Sequence, residues 1–318
     1  MRILLTGASS FTGFWFARAL SSAGHEIVAT FRGTPESYDG VRGRRVAALA
    51  DDVRCVWRVP FGGDAFLRLV VEDRWDLLCH HAAEVTNYRG PAFDSLQASR
   101  ANTHQCRQVL EGMVTSGCKR LVMTGSVFEP FEGVGDPRQR AFSPYGLSKH
   151  FSFELFRYEA ERLGIAVGKF VIPNPFGPLE ELRFTSHLAR EWAEGRVPEV
   201  RTPEYVRDNI HVSLLSRAYA TFCERAGNGA GVERCSPSGY VESQGAFARR
   251  LADELGRHFG REFPLTLAVQ KEFPEPIIRI NTEPARQMAP DWSEVSAWQD
   301  LCGYYDEMFF GRSPVAGG

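Results

Sequence analysis

Tyr145 and Lys149 are the residues of this chain whose types and spacing point most directly to chemistry. A separation of four places both side chains on one face of a helix. A phenol titrates near pH 10, but an ammonium group about one turn away stabilises the phenolate and lowers its pKa. The pair therefore predicts a proton-transfer site for an alcohol or a ketone. The same spacing also occurs on ordinary exposed helices, so the rest of the chain must decide.

A glycine turn at the N-terminus supplies the context that this pair needs. The apolar run 3–6 predicts a buried strand, and residues 11–22 predict a helix. A strand, a glycine turn and a helix N-terminus together favour a pyrophosphate site, because free amides and the positive helix end face the ligand. An ordinary strand–helix turn would look similar, although the middle glycine is replaced here by a serine that can donate a hydrogen bond. The residues that we expect at the cofactor on this turn are Gly7, Ser10, Phe11, Thr12 and Gly13.

The end of the predicted second strand, 26–31, bears on the choice of dinucleotide. An acid at this strand end binds the ribose 2′-hydroxyl of NAD, and none is present there. Arg32 follows instead and is suited to a 2′-phosphate. We therefore predict a preference for NADP, with NAD as the alternative and a solvated surface arginine as the ordinary interpretation.

Composition excludes several classes of protein. The 318 residues carry a formal net charge of −2, without a basic run, so no nucleic-acid surface is expected. No apolar stretch approaches the ~18 residues of a membrane span, and no signal peptide fits a strand that begins at once. The seven cysteines are scattered, which favours reduced thiols in the cytoplasm. Cys79, His80 and His81 are adjacent, but strand neighbours point to opposite faces, so we predict no metal site.

Strand-like and helix-like segments alternate along the first half of the chain. This alternation predicts an α/β fold with a Rossmann-type, doubly wound parallel sheet, whose ligand site lies at the carboxyl ends of the strands. The predicted strands are 3–6, 26–31, 54–59, 77–81, 120–124 and 166–172, and the predicted helices are 11–22, 64–72, 95–116 and 145–163.

The alternation of strand-like and helix-like segments becomes less regular after residue 172, where prolines divide the chain into short pieces. We predict a dinucleotide-binding domain over 1–172 and a smaller, mostly substrate-binding region over 173–312. The predicted helix 212–224 is expected to pack back on the first domain, and 313–318 to form a flexible tail. The other helices predicted in this region are 185–194, 243–259 and 293–309.

Six segments in order resemble the extended short-chain dehydrogenase/reductase family, and in particular its NAD(P)-dependent nucleotide-sugar epimerase/dehydratase branch. They cover nearly the whole chain and are specific for the superfamily, but less so for the reaction. The segments are the glycine turn 6–13, His81-Ala82-Ala83, Asn102-Thr103, Tyr145-Gly146-Leu147-Ser148-Lys149, Asn174-Pro175-Phe176-Gly177-Pro178 and Arg207-Asp208-Asn209-Ile210-His211-Val212.

The resemblance implies a role for each matching residue. Tyr145 would take a proton from a sugar hydroxyl while a hydride passes to the nicotinamide, and Lys149 would keep Tyr145 ionised and bind the nicotinamide ribose. It further implies cofactor contacts at Ala82, Ala83, Asn102 and Ile172, substrate contacts at Thr86, Asn174, Arg207 and Arg279, and a homodimer formed through helices 95–116 and 145–163.

The third catalytic group, a serine or threonine after the fifth strand, stays open between two residues. Counting from the start of the strand favours Ser126, which we prefer, and counting back from Val127 favours Thr124. The loop is about two residues too short for both counts to hold.

Three departures from the family pattern bear on the reaction. No aspartate follows the third strand, where Val59-Pro60-Phe61 stands. The Asp-Glu pair of sugar 4,6-dehydratases is replaced by Gly125 and Ser126, or deleted, which disfavours a conventional dehydratase. Arg32 fits a reductase fed by NADPH better than an epimerase that recycles bound NAD.

Three functions remain in competition at this stage. The first is an enzyme acting on a nucleotide-diphosphate sugar as an epimerase, a 4-reductase or an atypical dehydratase. The second is an NADPH-dependent reductase of a carbonyl metabolite without a nucleotide. The third is a non-catalytic cofactor-binding protein, which an intact Tyr145/Lys149 pair disfavours.

Overall fold

A computed structural model describes residues 1–88, 90, 92–227 and 231–311. The predicted tail 313–318 lies outside the described residues. The strands are β1 Arg2–Thr6, β2 Glu26–Thr30, β3 Arg54–Val56, β4 Leu77–His80, β5 Arg120–Ser126, β6 Ala166–Ile172, β7 Asn174–Phe176, β8 Glu199–Val200, β9 Val206–His211, β10 Val232–Cys235, β11 Pro237–Ser238, β12 Tyr240–Ser243, β13 Thr266–Leu267, β14 Ile278–Arg279 and β15 Glu283–Pro284. The α-helices are α1 Phe11–Ser22, α2 Gly40–Leu49, α3 Asp64–Glu72, α4 Ser95–Asn102, α5 Cys106–Thr115, α6 Pro144–Arg162, α7 Phe184–Ala193, α8 Val212–Arg225, α9 Gln244–Phe259 and α10 Glu294–Tyr305.

A seven-stranded parallel sheet in the order β10-β6-β5-β4-β1-β2-β3 forms the centre of the molecule, as the Rossmann-type prediction requires. Successive strand residues face opposite layers: Leu4 packs with helices α3, α5 and α6, whereas Ile3 and Leu5 pack with α1, α2 and α8. Because both faces are covered, the inner strands are mostly apolar on both sides. Their carboxyl ends meet at one edge, where the functional residues gather.

The C-terminal part of the chain contributes to this sheet and also builds a smaller region of its own. Helix α8 packs against α1, and β10 is the edge strand beside β6. A second sheet joins β12, β9 and β14, with β7 beside β9. A separate apolar cluster lies under this region and takes residues from α7, α9 and α10.

The predicted single helix 95–116 is wrong, because the structure has two helices, α4 and α5, in its place. Gln105 adopts a left-handed backbone with φ of 50°, which no α-helix can continue. Asn102, the last residue of α4, is buried, and its side chain accepts from the amide of Glu84 and donates to Ser152 Oγ. These bonds turn the chain where a regular helix would have run on.

Helix α2 was not predicted, because Gly40 and Gly43 lower the helix propensity of Gly40–Leu49. Its stability comes from distant partners. Arg45 is fully buried and donates to the carbonyls of Ser9 and Leu179 and to Glu181. The helix thus joins the glycine turn to the segment that follows β7.

Within the described part of the chain, no helix has both the length and the apolar character that crossing a bilayer demands.

Candidate active site

A cavity of about 990 Å³ opens at the carboxyl ends of the parallel strands. This volume is at the upper end of the roughly 300–1,000 Å³ that is usual for ligand pockets. Every predicted catalytic residue and all predicted cofactor residues except Gly13 line it. Those residues are Gly7, Ser10, Phe11, Thr12, Arg32, Ala82, Ala83, Asn102, Thr124, Ser126, Tyr145, Lys149 and Ile172.

The glycine turn presents helix amides to this cavity. Ser10 caps α1: its hydroxyl accepts from the amide of Gly13 and donates to the carbonyl of Gly7. The first intrahelical amide bond is that of Phe14, so the amides of Phe11 and Thr12 stay available to a ligand. This arrangement fits the pyrophosphate of a dinucleotide.

Positions 7 and 13 require glycine, because neighbouring parts of the chain approach the backbone too closely for a Cβ atom. A Cβ on Gly7, which has φ of +83°, would lie 2.7 Å from the amide nitrogen of Ala82. A Cβ on Gly13 would lie 2.2 Å from the carbonyl oxygen of Gly7 and 2.8 Å from the ring of His81. Gly13 therefore lies behind the cavity wall and lets the turn, helix α1 and the end of β4 pack together.

Two arginines and one acid lie at the far end of the cavity, beyond β2. Arg32 is mostly exposed and lies 3.8 Å from Glu84, an acid that reaches this place from the segment after β4. Arg42 comes from α2, and its guanidinium donates to Ser9 Oγ in the glycine turn at 2.7 Å. Sequence inspection missed both Arg42 and Glu84, because neither lies near β2 in the chain.

Tyr145 and Lys149 lie in the first two turns of α6. Ser143 caps this helix by accepting from the amide of Gly146, and Pro144 is its first residue. Gly146 is obligatory, since a Cβ there would lie 1.9 Å from the carbonyl oxygen of Phe128. Both functional side chains are thereby held against the β5–α6 segment.

The pKa of Tyr145 shifts in the opposite direction from the one expected from a neighbouring lysine. Burial, with the negative charge of Glu129 adding to it, raises the pKa of Tyr145 above that of a free tyrosine, while Arg183 opposes the rise. Burial also lowers the pKa of Lys149 to about 8, against the attraction of Glu129. Tyr145 is therefore protonated in the protein alone, so it can donate a proton.

A buried charge network lies behind the end of β5. Lys169 Nζ donates to Glu129 Oε2 and Glu132 Oε1, each at 2.6 Å, and Glu132 also pairs with Arg234. The other oxygen of Glu129 accepts from the amide of Ser126 at 2.8 Å. Glu129 is thus held in place by two partners.

The two hydroxyls after β5 have different partners. Thr124 Oγ1 lies 2.8 Å from Nδ1 of His81. Ser126 Oγ accepts from the amide of Phe128 at 3.2 Å, which leaves its own proton available. Both residues line the cavity, so both candidates for the third catalytic group are near the pair on α6.

The residues predicted to contact substrate do not line the cavity. Thr86 is exposed on a loop, and Asn174 donates to the carbonyl of Asp208. Arg207 is buried: Nη1 donates to the carbonyls of Val206, Pro276 and Ile277, and Nη2 donates to Glu275 at 2.8 Å. The donors of Arg207 are therefore engaged within the protein.

Arg279 is buried without such partners. Its Nε and Nη1 have no hydrogen-bond acceptor among the described residues. The guanidinium lies 4.2 Å from the ring centroid of Phe128, which lines the cavity, and 3.9 Å from that of Phe142. Burial, with the nearby Arg207 adding to it, lowers the pKa of Arg279 to about 9. A buried cation of this kind favours an anionic ligand.

Arg183 is a further cation at the cavity that sequence inspection missed. It precedes α7, lines the cavity and lies 5.4 Å from the ring centroid of Phe11. No motif marked it, because its place depends on how the segment after β7 returns to the glycine turn. Among the described residues, no group of three or more His, Cys, Asp and Glu side chains could hold a metal ion.

These observations place a glycine turn suited to a dinucleotide and a tyrosine–lysine pair in one cavity. The model of the NAD dependent epimerase/dehydratase family matches residues 3–233, and the chain belongs to this family. None of the curated proteins matches the sequence. The prediction of an NAD(P)-dependent enzyme of the extended short-chain dehydrogenase/reductase type is confirmed.

Solved structures with the same fold cover nearly the whole chain. The UDP-glucose 4-epimerase of Thermotoga maritima, solved with UDP-glucose, is 17% identical with a TM-score of 0.73, over 97% of this chain and 99% of that one. The dTDP-glucose 4,6-dehydratase DesIV of Streptomyces venezuelae, solved with NAD, is 18% identical with a TM-score of 0.71, over 96% of this chain and 97% of that one. At these identities the likeness establishes the fold.

Proposed function

We propose that this chain catalyses hydride transfer at the sugar of a nucleotide diphosphate, as an epimerase or a 4-reductase. The observation that carries the proposal is that the glycine turn, Tyr145, Lys149 and two hydroxyl side chains share one cavity. A bound nicotinamide would supply the hydride chemistry. The chain itself would bind the cofactor at the amides of Phe11 and Thr12 and exchange a proton through Tyr145.

The site favours a reductase or an epimerase over a dehydratase. A side chain at position 125 has no space, since a Cβ there would lie 2.7 Å from Lys169 Cε and 3.0 Å from Glu129 Oε1. Glu129 is held by Lys169 and by the amide of Ser126 and does not line the cavity. The acid that eliminates water therefore has no counterpart at this position. A protonated Tyr145 is suited to donate its proton to a carbonyl oxygen as that carbonyl is reduced.

The experiment that tests the function is incubation with UDP- and dTDP-hexoses and their 4-keto derivatives, with NAD, NADH, NADP or NADPH, followed by NMR of the products. A new sugar nucleotide is the expected result. The proposal would be abandoned if no sugar nucleotide binds at millimolar concentration while the dinucleotide does. Turnover of a carbonyl compound without a nucleotide would instead support the alternative, an NADPH-dependent reductase.

The two arginines at the far end of the cavity support a preference for NADP. Arg32 is partly neutralised by Glu84, whereas Arg42 donates only to a neutral hydroxyl, so the net charge of the three groups is positive. A 2′-phosphate would gain charge-assisted hydrogen bonds there.

Replacing Arg42 by alanine is expected to weaken NADPH binding by about 10–100-fold, the usual range for a hydrogen bond to a charged group. NADH affinity should change little, because only NADPH carries the 2′-phosphate. Titration of both cofactors against protein fluorescence measures this. Arg44→Ala, on the same helix with its partner Glu307 at the surface, is the control. Equal losses for NADPH and NADH in Arg42→Ala would contradict the preference.

Arg279 supports the nucleotide diphosphate, since it is a buried cation with two N–H groups that lack acceptors. Arg279→Met removes the charge at similar length. It is expected to weaken binding of UDP or dTDP by about 10–100-fold without loss of stability, because an unpaired buried charge is also removed. Arg207→Met is the matched contrast: it strips donors from Glu275 and from three carbonyls, so it should mainly lower stability.

Calorimetric binding of UDP and dTDP, with urea unfolding of each variant, measures both effects. The assignment would be reversed if Arg279→Met left nucleotide affinity unchanged while Arg207→Met lowered it without a loss of stability. Arg207 would then be the arginine that binds the diphosphate. If neither nucleotide binds the unaltered protein, the result would favour the alternative function, the reduction of a carbonyl compound without a nucleotide.

The homodimer stays a prediction. Phe151, Leu155 and Tyr158 form an exposed apolar row at helical spacing on α6, one of the two helices expected at the interface. The molar mass of the protein in solution, measured by light scattering, tests it.

A further inference from the structure

We propose that His81 is a positioning residue that holds the hydroxyl group of Thr124 in one orientation for the reaction. The inference rests on the proposed function and extends it to a residue outside the tyrosine–lysine pair. It starts from a set of contacts that joins the glycine turn to the end of β5 through a single imidazole ring.

The ring of His81 uses both of its nitrogens. Nδ1 lies 2.8 Å from Thr124 Oγ1, whereas Nε2 lies 3.0 Å from Thr12 Oγ1 and 3.1 Å from Ser10 Oγ. The ring of Phe16 meets the imidazole edge-on, with centroids 5.2 Å apart. The imidazole is therefore held on three sides by helix α1 and the turn before it.

The hydrogen-bond network assigns the tautomer. Ser10 donates its hydroxyl proton to the carbonyl of Gly7 at 2.9 Å, so its oxygen can only accept from His81. The hydroxyl of Thr12 can serve Nε2 as donor or acceptor, so the contact with Ser10 decides, and we infer that Nε2 carries the ring proton. Nδ1 is left as an acceptor, and the hydroxyl of Thr124 donates to it.

His81 is a neutral ring. Burial, with the positive charge of Lys149 as the next cause, lowers the pKa of His81 to about 3. The charge that acts on this ring also favours the neutral form, because it is the positive charge of Lys149, and no carboxylate among the described residues pairs with His81. The ring consequently orients Thr124 without taking its proton.

This orientation divides the work between the two hydroxyls after β5. Thr124 directs its hydroxyl proton at Nδ1 of His81 in a hydrogen bond, so it turns only lone pairs towards the cavity and can accept from a sugar hydroxyl. Ser126 accepts from the amide of Phe128 and keeps its own proton, which it can donate to a carbonyl oxygen. Thr124 can therefore accept a hydrogen bond from the alcohol form of the substrate, and Ser126 can donate one to the ketone form of the same carbon.

The tautomer is measured first, on the ¹⁵N-histidine-labelled full chain by long-range nitrogen–proton NMR. His81→Leu identifies the resonances of His81 among the eight histidines. We expect the Nε2–H tautomer, unchanged from about pH 6 to 8, since an unperturbed histidine would titrate within that range. In Thr124→Val the Nδ1 resonance should shift. An Nδ1–H tautomer, titration of His81 near neutral pH, or an unmoved Nδ1 resonance would each overturn the proposal.

Turnover of the sugar nucleotide found in the substrate panel is measured second. His81→Leu should lower kcat by about 10–100-fold, the scale of a misplaced catalytic group, with KM and the NADPH dissociation constant within about 3-fold of the original values. His81→Asn keeps an acceptor near the place of Nδ1 and should recover most of kcat. The double variant His81→Leu/Thr124→Val should be no slower than Thr124→Val alone.

Multiplicative effects of the two substitutions, or no recovery in His81→Asn at full cofactor affinity, would overturn the positioning role. Failure of every sugar nucleotide in the panel would remove the proposed function, and the nitrogen spectra would still decide the contact between His81 and Thr124. The two failures are therefore distinguishable.

Discussion

Replacing Tyr145 by phenylalanine is expected to lower kcat by about 10²–10⁴-fold, the usual contribution of a positioned proton-transfer group. The ring remains, so packing against Tyr88, Phe93 and Phe128 is retained. The phenol lines the same cavity as the glycine turn, and phenylalanine offers no group that can take over its proton transfer. Steady-state kinetics with the sugar nucleotide of the panel measure the loss.

Tyr158→Phe, on the exposed face of the same helix, is the matched control and should leave kcat unchanged. Cofactor binding should be equal in both variants, because we expect the turn and Lys149, rather than the phenol, to hold the dinucleotide. Retained turnover in Tyr145→Phe would remove the tyrosine from the mechanism and leave Ser126, whose own proton is available, as the candidate proton donor.

Replacing Lys169 by methionine is expected to destabilise the fold by about 3–5 kcal/mol, the usual result of removing one partner of a buried ion pair. Lys169 is almost fully buried in β6, and its loss leaves the carboxylates of Glu129 and Glu132 without their shared cation. Urea unfolding followed by circular dichroism measures the change in the free energy of unfolding.

Two further variants separate the charge effect from the loss of packing. Lys169→Met/Glu129→Gln should recover part of the stability, because one of the stranded charges is gone. Arg162→Met breaks an exposed pair with Glu159 and should cost far less. A loss in Lys169→Met no larger than that in Arg162→Met would show that the network contributes little.

The buried network also bears on catalysis, since Glu129 accepts from the amide of Ser126 and its charge acts on both Tyr145 and Lys149. The same carboxylate that orders the end of β5 also raises the pKa of Tyr145. Burial is the main cause that raises the pKa of Tyr145, and the charge of Glu129 adds to it, so the network acts on the residue that we propose as the proton donor.

The elements around the site could be predicted because their signals are local. The strand β1, the turn and the helix α1 lie within about twenty residues, and their periods of two and 3.6 are visible in the chain. The Tyr145/Lys149 spacing likewise needs only one helix to bring both side chains together. Prediction failed for the helix 95–116. The side chain of Asn102 forms hydrogen bonds with Glu84 and Ser152, which lie in other segments of the chain, and the helix ends there.

Contacts between distant segments account for what could not be predicted. Arg207 and Arg279 are both arginines in the C-terminal region, yet packing leaves the first with four hydrogen-bond acceptors and the second with none for Nε and Nη1 among the described residues. The sequence carried no signal for this difference, since Glu275 and the carbonyls of Pro276 and Ile277 lie 68 to 70 residues further along the chain than Arg207.

The sequence by itself determined the parallel sheet, the glycine turn and the tyrosine–lysine pair, because short-range spacing and apolar periodicity encode them. Only the tertiary structure decided that Glu84 lies beside Arg32, that Glu129 is held by Lys169, and that His81 contacts Thr124. These partners are chosen by the close packing of segments far apart in the chain, where burial makes an unpaired polar group costly and so selects its neighbour.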